Sequence, residues 1–153
     1  MEMSEKKYSN PIPTIDAIIH NNNNQILLIK RKNEPFKNYF ALPGGFVNKG
    51  EKIEDALRRE VNEEVSLNVE PLEILGVYSD PNRDPRDHIM TIVFICLVLD
   101  ETTAKAEDDA ASLCWINLNE LKNIEMAFDH KMIVEDYLNW RNNNSTYWSS
   151  KMR

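Results

Sequence analysis

The stretch GGFVNKGEKIEDALRREVNEEVSL, residues 44–67, decides the fold. It begins with two adjacent glycines in a chain that has only four, and a strongly acidic segment follows at once. At about 100° per residue, the apolar residues of this segment form one stripe with the spacing i, i+4, i+8. The stripe consists of Leu57, Val61 and Val65. The spacing predicts a helix over residues 51–65, with one flank packed into a core.

The flank beside this stripe carries three carboxylates, those of Glu60, Glu63 and Glu64. Carboxylates this close repel one another unless something neutralises them. Hard cations such as Mg²⁺ and Mn²⁺ prefer oxygen ligands, so the cluster predicts a dication site. A nearby glycine turn would add a backbone carbonyl and let a substrate approach closely. The alternative is a solvated helix face held by ion pairs at i, i+4, such as Arg59 with Glu63.

The full spacing resembles the Nudix box, Gly-x5-Glu-x7-Arg-Glu-U-x-Glu-Glu-x-Gly-U, in which U is aliphatic. The matching glycine and charged residues are Gly45, Glu51, Arg59, Glu60, Glu63 and Glu64. One position departs from the pattern, because Ser66 stands where the family has its last glycine. That glycine ends the helix in a left-handed conformation, so we expect serine to cost some local stability.

The resemblance implies an α/β (α+β) fold, the Nudix α/β/α sandwich with a central mixed β-sheet. It implies a single Nudix hydrolase domain over residues 1–140 and a polar C-terminal tail over residues 141–153. The implied reaction is Mg²⁺- or Mn²⁺-dependent hydrolysis of a nucleoside diphosphate linked to another group. By position, the metal ligands would be Glu60, Glu63 and Glu64, joined by the Gly45 carbonyl. Glu51 and Arg59 would shape the box by ion pairing, with Glu51 reaching the metal through water.

The general base varies within this family. It is either a glutamate of the box or an acid from a loop outside it. Here the acidic loop AEDDAAS offers Glu107, Asp108 and Asp109. The alternative for this loop is a solvated surface segment.

The resemblance extends beyond the box, to the ADP-ribose pyrophosphatase branch. The segments IKRKNEPFKNYFALPGGFVNKGE and GVYSDPNRDPRDH are similar to that branch, as are LNEL and AFDH near the end. Pro81 lies fifteen residues after Ser66, where a proline is associated with ADP-ribose specificity. Asp87 is a departure, because the branch more often has glycine there.

Five residues are candidates for substrate binding: Arg31, Phe36, Arg83, Arg86 and His130. The arginines could bind phosphate or ribose oxygens by forked hydrogen bonds. Phe36, or one of its aromatic neighbours Tyr39 and Phe40, could stack on adenine. The alternatives are surface arginines, aromatic side chains that pack in the core, and a histidine satisfied at the start of a helix.

Two rival functions remain open. The enzyme could prefer NADH, a dinucleoside polyphosphate, an oxidised nucleoside triphosphate or a nucleotide sugar. A rival of another class is a non-catalytic sensor that binds ADP-ribose-type ligands to regulate transcription. Such sensors carry an added DNA-binding domain, for which we expect no room in 153 residues. Homodimers are common in this branch, so a homodimer is possible.

Composition fits this interpretation. The chain of 153 residues suits one domain, and its net charge of −7 without a basic stripe disfavours nucleic acid as a partner. No apolar run approaches the ~20 residues that a membrane span needs. The two cysteines, Cys96 and Cys114, form no zinc pattern and are expected to be reduced. We therefore expect a cytoplasmic protein without a membrane partner.

The remaining segments predict a mixed sheet with late helices. PTIDAIIH and QILLIKRK, separated by NNNN, predict a β-hairpin. IMTIVFICLVL predicts a central strand, and LCWINL predicts a short one. NELKNI and DHKMIVEDYLNW predict helices, the second capped by Asp129. For Tyr147 and Trp148 in the tail, docking and fraying both remain open.

Overall fold

The computed structural model describes residues 8–106 and 110–153. The strands are β1 Ile12–His20, β2 Gln25–Arg31, β3 Phe40–Ala41, β4 Gly44–Phe46, β5 Val69–Tyr78, β6 Ile89–Val98, β7 Ala110–Asn117 and β8 Tyr147–Trp148. The α-helices are α1 Ile53–Val65 and α2 His130–Asn143. Short 3-10 helices cover Glu101–Thr103 and Leu118–Asn123. The second of these lies where the sequence predicts the first of the two late helices.

Within this described part of the chain, the eight strands form one mixed sheet in the order β3-β2-β1-β6-β5-β8. Strand β4 pairs with β1 and β7 pairs with β2, outside that order. The apolar run of β6 lies in the middle, parallel to β1 and antiparallel to β5. Its central position explains its composition, because a strand covered on both faces needs apolar residues at consecutive positions.

The sheet is covered on both faces, which confirms the predicted α/β/α sandwich. Successive side chains of a strand point to opposite faces, so each strand contributes to two cores. On β1, Ile15, Ala17 and Ile19 pack in the core that holds α1. Ile18 packs in the opposite core, which holds α2. Strand β1 therefore connects the two cores of the sandwich.

The predicted hairpin joins β1 to β2. Asn24 takes the left-handed conformation, with φ of 61°. The Asn21 side chain accepts hydrogen bonds from the backbone N–H groups of Asn23 and Gln25, at 2.9 and 3.2 Å. The asparagine run thus forms the turn by side-chain hydrogen bonds, as its residue type indicates.

The segment after residue 140 packs against the body of the protein. Helix α2 continues to Asn143, and β8 pairs with β5 in parallel. The Ser149 hydroxyl accepts hydrogen bonds from the backbone N–H groups of Ser79 and Asp80, at 2.9 and 3.2 Å. Arg153 donates two hydrogen bonds of 2.6 Å to the buried carboxylate of Asp136. Of the two alternatives for Tyr147 and Trp148, the structure shows docking.

No helix among the described residues has both the length and the apolar character needed to cross a membrane. Both cysteines are free thiols. Cys96 is buried, and burial raises the pKa of its thiol to about 12. Cys114 is partly buried.

Ser66 takes the backbone conformation that glycine would adopt. Its φ is 57°, and its N–H donates to the Asn62 carbonyl at 3.0 Å to close α1. The helix is therefore neither distorted nor shortened by serine. The cost lies in the conformation itself, because a residue with a Cβ is strained in the left-handed region.

We expect Ser66→Gly to stabilise the protein by about 0.5–1 kcal/mol, because glycine removes that strain. Urea unfolding would measure the change. Asn144→Gly is the matched control, since Asn144 ends α2 with φ of 54° and asparagine tolerates this region better than serine. A gain from Asn144→Gly that equals or exceeds the gain from Ser66→Gly would contradict this explanation.

Candidate active site

One cavity of about 380 Å³ opens at the end of the sheet where β4 pairs with β1. Its walls come from β1, β2, β4, α1, the loop between β5 and β6, and the start of α2. Seven of the predicted site residues line it: Arg31, Gly45, Glu60, Glu64, Arg83, Arg86 and His130. The predicted dication site and the predicted substrate site therefore share one space.

The two glycines of β4 allow the backbone to approach the carboxylates closely. The Gly44 N–H donates to Glu64 Oε1 at 3.2 Å. At Gly45, a Cβ atom would overlap the carboxylate of Glu60. At Gly44, a Cβ atom would overlap the Ile15 carbonyl and the Asp16 side chain. A side chain at Gly45 would therefore displace the Glu60 carboxylate, whereas a side chain at Gly44 would collide with β1.

Arg59 connects the charged residues of the box. Its guanidinium donates to both carboxylate oxygens of Glu51, at 2.8 and 2.9 Å, and to Glu60 Oε1 at 2.7 Å. It also donates to Glu63 Oε2 at 3.3 Å and to the Phe46 carbonyl at 2.9 Å. This agrees with the shaping role that the resemblance implies for Glu51 and Arg59.

The carboxylates of the box differ in proton affinity. Hydrogen bonds from Arg59, with one from the Asn48 N–H, lower the pKa of Glu51 to about 2. Burial raises the pKa of Glu60 and outweighs its bond to Arg59. Glu64 is buried, whereas the Glu63 side chain is 49% exposed and lies outside the cavity wall.

The box offers the hard oxygen donors that a dication such as Mg²⁺ prefers. Glu60, Glu64 and the Gly45 backbone meet at one wall of the cavity, and the absence of a Cβ at Gly45 leaves room beside Glu60. Over residues 8–106 and 110–153, no three acidic, histidine or cysteine side chains converge as a metal site. Two of the predicted ligands, Glu60 and Glu63, accept hydrogen bonds from Arg59 instead. In donor type, the residues fit a dication.

The two loop arginines are paired with aspartates. Arg83 is buried and makes a forked pair with Asp129, at 2.9 and 2.7 Å. Asp129 precedes α2 as predicted, but its carboxylate binds Arg83 and does not cap the helix. Arg86 binds Asp84 at 3.0 and 2.8 Å, and its side chain is 43% exposed. The guanidinium groups of Arg83 and Arg86, which were expected to bind phosphate, therefore bind aspartates and hold the loop.

The aromatic residues on the cavity wall are Phe46 and Phe128 rather than the expected Phe36. Phe36 stacks edge-on against Phe128, with ring centroids 5.0 Å apart, and lies outside the wall. The guanidinium groups of Arg31 and Arg86 lie 4.8 and 5.4 Å from the Phe128 ring centroid. Phe128 was missed although it belongs to the AFDH segment, where its position two residues before His130 was the available signal.

Asp16 lies on the floor of the cavity, with Thr91 behind it, and neither residue was predicted from the sequence. Thr91 donates to Asp16 Oδ2 at 2.6 Å, and both residues are buried. Burial raises the pKa of Asp16 to about 7, despite the opposing effects of Thr91 and Arg83. A lone aspartate inside the apolar strand sequence TIDAII was the signal that could have found it.

Glu107 and Asp108, the acids proposed as general base outside the box, lie outside the described residues, as does Asp109.

Three comparisons with known proteins bear on this site. Residues 10–137 match the family described as NUDIX domain. The ADP-ribose pyrophosphatase of Methanocaldococcus jannaschii is 50% identical over 135 residues, which cover 88% of this chain and 78% of that protein. A bifunctional NMN adenylyltransferase/ADP ribose pyrophosphatase from Francisella tularensis, solved with AMP and a manganese ion, is 30% identical with a TM-score of 0.71. The match covers 88% of this chain and 43% of that one.

A third similar protein is the NUDIX domain of Shewanella oneidensis NrtR, solved with ADP ribose. It has a TM-score of 0.77 at 22% identity, and the match covers 94% of each chain. At this identity the likeness supports the fold.

The raised pKa of Asp16 predicts a pH-dependent stability. Because folded Asp16 holds its proton more tightly than the unfolded chain does, stability falls as pH rises from about 4 to about 7. Asp16→Asn removes this loss, so its stability relative to wild type should rise through that window, by at most about 1.4 kcal/mol per pH unit. Urea unfolding at a series of pH values measures the difference.

Asp84→Asn is the control with the opposite sign. Burial raises the pKa of Asp84, but hydrogen bonds from the Arg86 side chain and backbone outweigh it and leave the pKa lowered. This variant should lose stability at neutral pH, and the loss should shrink as pH falls through the acidic range. A stability difference for Asp16→Asn that does not change with pH would contradict the prediction.

Proposed function

The chain belongs to the NUDIX domain family, and we propose that this Nudix hydrolase splits ADP-ribose into AMP and ribose 5-phosphate. The observation that carries the proposal is the shared cavity. It brings the box residues Gly45, Glu60 and Glu64 together with Arg31 and Arg86. A diphosphate needs both groups, since cations bind its charge and acidic side chains serve the hydrolysis.

The preference for ADP-ribose rests on the relatives. The archaeal protein with 50% identity is named for that activity, and its match covers 88% of this chain. The Francisella protein, also named in part for ADP ribose, was solved with AMP, the nucleotide product expected here. Pro81 stands at the position associated with this substrate and lies in the same loop as Arg83 and Arg86.

The proposed cofactor is Mg²⁺ or Mn²⁺. Glu60 and Glu64 would hold it with the Gly45 carbonyl, and Glu63 would join them after leaving Arg59. When bound, such a dication neutralises the diphosphate, polarises its phosphorus–oxygen bonds and acidifies a ligated water. The manganese ion in the Francisella structure supports this class of cofactor.

The protein's own groups orient the substrate and move the proton. Arg31 and Arg86 lie against the Phe128 ring on the wall that faces the substrate. Their charge draws the anionic diphosphate into the cavity and holds it for in-line attack by water on phosphorus. The general base is either a glutamate of the box that does not hold the dication or an acid of the segment 107–109, which lies outside the described residues.

A panel of substrates tests the proposal. With Mg²⁺ present, we expect rapid release of AMP from ADP-ribose and slower cleavage of NADH, a dinucleoside polyphosphate, an oxidised nucleoside triphosphate and a nucleotide sugar. Chromatography identifies the products. A flat profile or a preference for the triphosphate would overturn ADP-ribose as the substrate while leaving the family intact. Binding of ADP-ribose without cleavage would instead indicate the sensor.

Replacement of one carboxylate tests the catalytic box. We expect Glu64→Gln to lower kcat by at least about 100-fold with the fold intact, because an amide loses the charge that would bind the dication. Circular dichroism and the unfolding midpoint monitor the fold. Asp55→Asn, an exposed carboxylate of the same helix that pairs with Arg58, is the matched control and should keep near-normal turnover. Near-normal turnover of Glu64→Gln would refute the assigned role.

A further inference from the structure

We propose that Asp16 and His130 form a hydroxyl-binding pair at the floor of the cavity, which recognises one sugar hydroxyl of the substrate. This inference rests on the proposed function, because it specifies which chemical group of a nucleoside diphosphate derivative the site selects. Both residues line the cavity, and neither belongs to the catalytic box.

Asp16 is held rigidly as an acceptor. It lies on β1, and Thr91 on the neighbouring strand β6 donates to its Oδ2 atom at 2.6 Å. Gly44 packs against the other side of the carboxylate, where a Cβ would overlap Oδ1. The side chain is 12% exposed, so what remains accessible faces the cavity.

His130 is held as a donor. Its Nδ1 atom accepts a hydrogen bond from the Leu42 N–H at 3.0 Å. Burial lowers the pKa of His130 to about 4, so the ring is neutral near pH 7. A neutral ring whose Nδ1 accepts must carry its proton on Nε2. The Nε2–H therefore points away from Leu42, toward Asp16.

The two groups are too far apart to satisfy each other. His130 Nε2 lies 3.8 Å from Asp16 Oδ2, beyond hydrogen-bond range. Within the described part of the chain, Nε2 donates to no protein atom, although His130 is only 4% exposed. Among the described residues, no fully buried side-chain nitrogen or oxygen lacks a hydrogen-bond partner, so Nε2 is open to the cavity, where a ligand atom can accept its hydrogen bond.

The donor of His130 and the acceptor of Asp16 together match the hydrogen-bonding groups of a hydroxyl. An oxygen lying near both atoms must accept from Nε2–H and donate to the Asp16 carboxylate. When Asp16 is ionised, a hydroxyl does both, whereas a phosphate oxygen accepts only and is repelled by the carboxylate. An amine donates only and leaves Nε2 unsatisfied.

The position of the pair selects the part of the substrate. Asp16 contacts Gly44, which also donates to the box residue Glu64 and precedes Gly45. The floor therefore adjoins the wall where the diphosphate is expected. The hydroxyl then belongs to one of the two sugars bonded directly to the diphosphate.

A cycle of variants and substrate analogues tests the pair. The substrates are ADP-ribose and analogues that each lack one hydroxyl of either ribose. The variants are Asp16→Asn and His130→Asn, whose amide oxygen can still accept from Leu42 N–H. In wild type, loss of the recognised hydroxyl should lower kcat/KM about 10- to 100-fold, as expected for a hydrogen bond to a charged group.

In both variants, loss of that same hydroxyl should cost less than about threefold, because its partner is already missing. Asp84→Asn is the matched control, a buried carboxylate of the same cavity that is engaged by Arg86. It should keep the full wild-type penalty, even if its activity is lower. A purely structural role of Asp16 and His130 would lower the activity toward all substrates equally. An equal penalty in wild type and both variants, for every hydroxyl removed, would overturn the proposal.

Failure of the hydroxyl-binding pair can be distinguished from failure of the proposed hydrolysis. If wild type cleaves none of these compounds, the proposed hydrolysis fails, and the same cycle is measured by calorimetric binding of ADP-ribose and its deoxy analogues. A hydroxyl-specific loss of affinity confined to wild type and Asp84→Asn would then support the pair. Equal affinities for ADP-ribose and every analogue in wild type would overturn it.

Discussion

The guanidinium of Arg59 is the group on which the rest of the site depends. It contacts Glu51, Glu60 and Glu63 at once, and it also holds the Phe46 carbonyl. Without a cation among them, these carboxylates would repel one another and drive the start of α1 away from β4. The same contact therefore neutralises the acidic cluster and fixes the strand that carries the glycines. A dication would compete with Arg59 for Glu60 and Glu63. Arg59 therefore positions these carboxylates and also neutralises their charge when no dication is bound.

Local periodicity accounts for what the sequence predicted correctly. The helix predicted over residues 51–65 begins at Ile53, and the apolar run that became β6 lies in the centre of the sheet as expected. The boundaries and core-facing positions of this helix and this strand depend on residues close in the chain, which a spacing pattern captures. The family resemblance added the box and the identity of its carboxylates.

Contacts between distant residues account for what the sequence did not predict. Asp16 and Thr91 are 75 positions apart, and Arg83 and Asp129 are 46 apart. No periodicity connects such pairs, so an arginine expected to bind phosphate proved to bind an aspartate instead. The loop arginines therefore shape the cavity first, and this preorganisation reduces the ordering that a substrate has to induce.

The docked segment around Ser149 has a consequence for how the protein is made. The loop that carries Arg83 and Arg86 donates two backbone N–H hydrogen bonds to the Ser149 hydroxyl, which lies about 70 positions later. During synthesis, this loop lacks the contact with Ser149 until the far segment has left the exit tunnel. The cavity therefore reaches its final form only after the strands that surround it, because its loop needs a segment that lies beyond them in the chain.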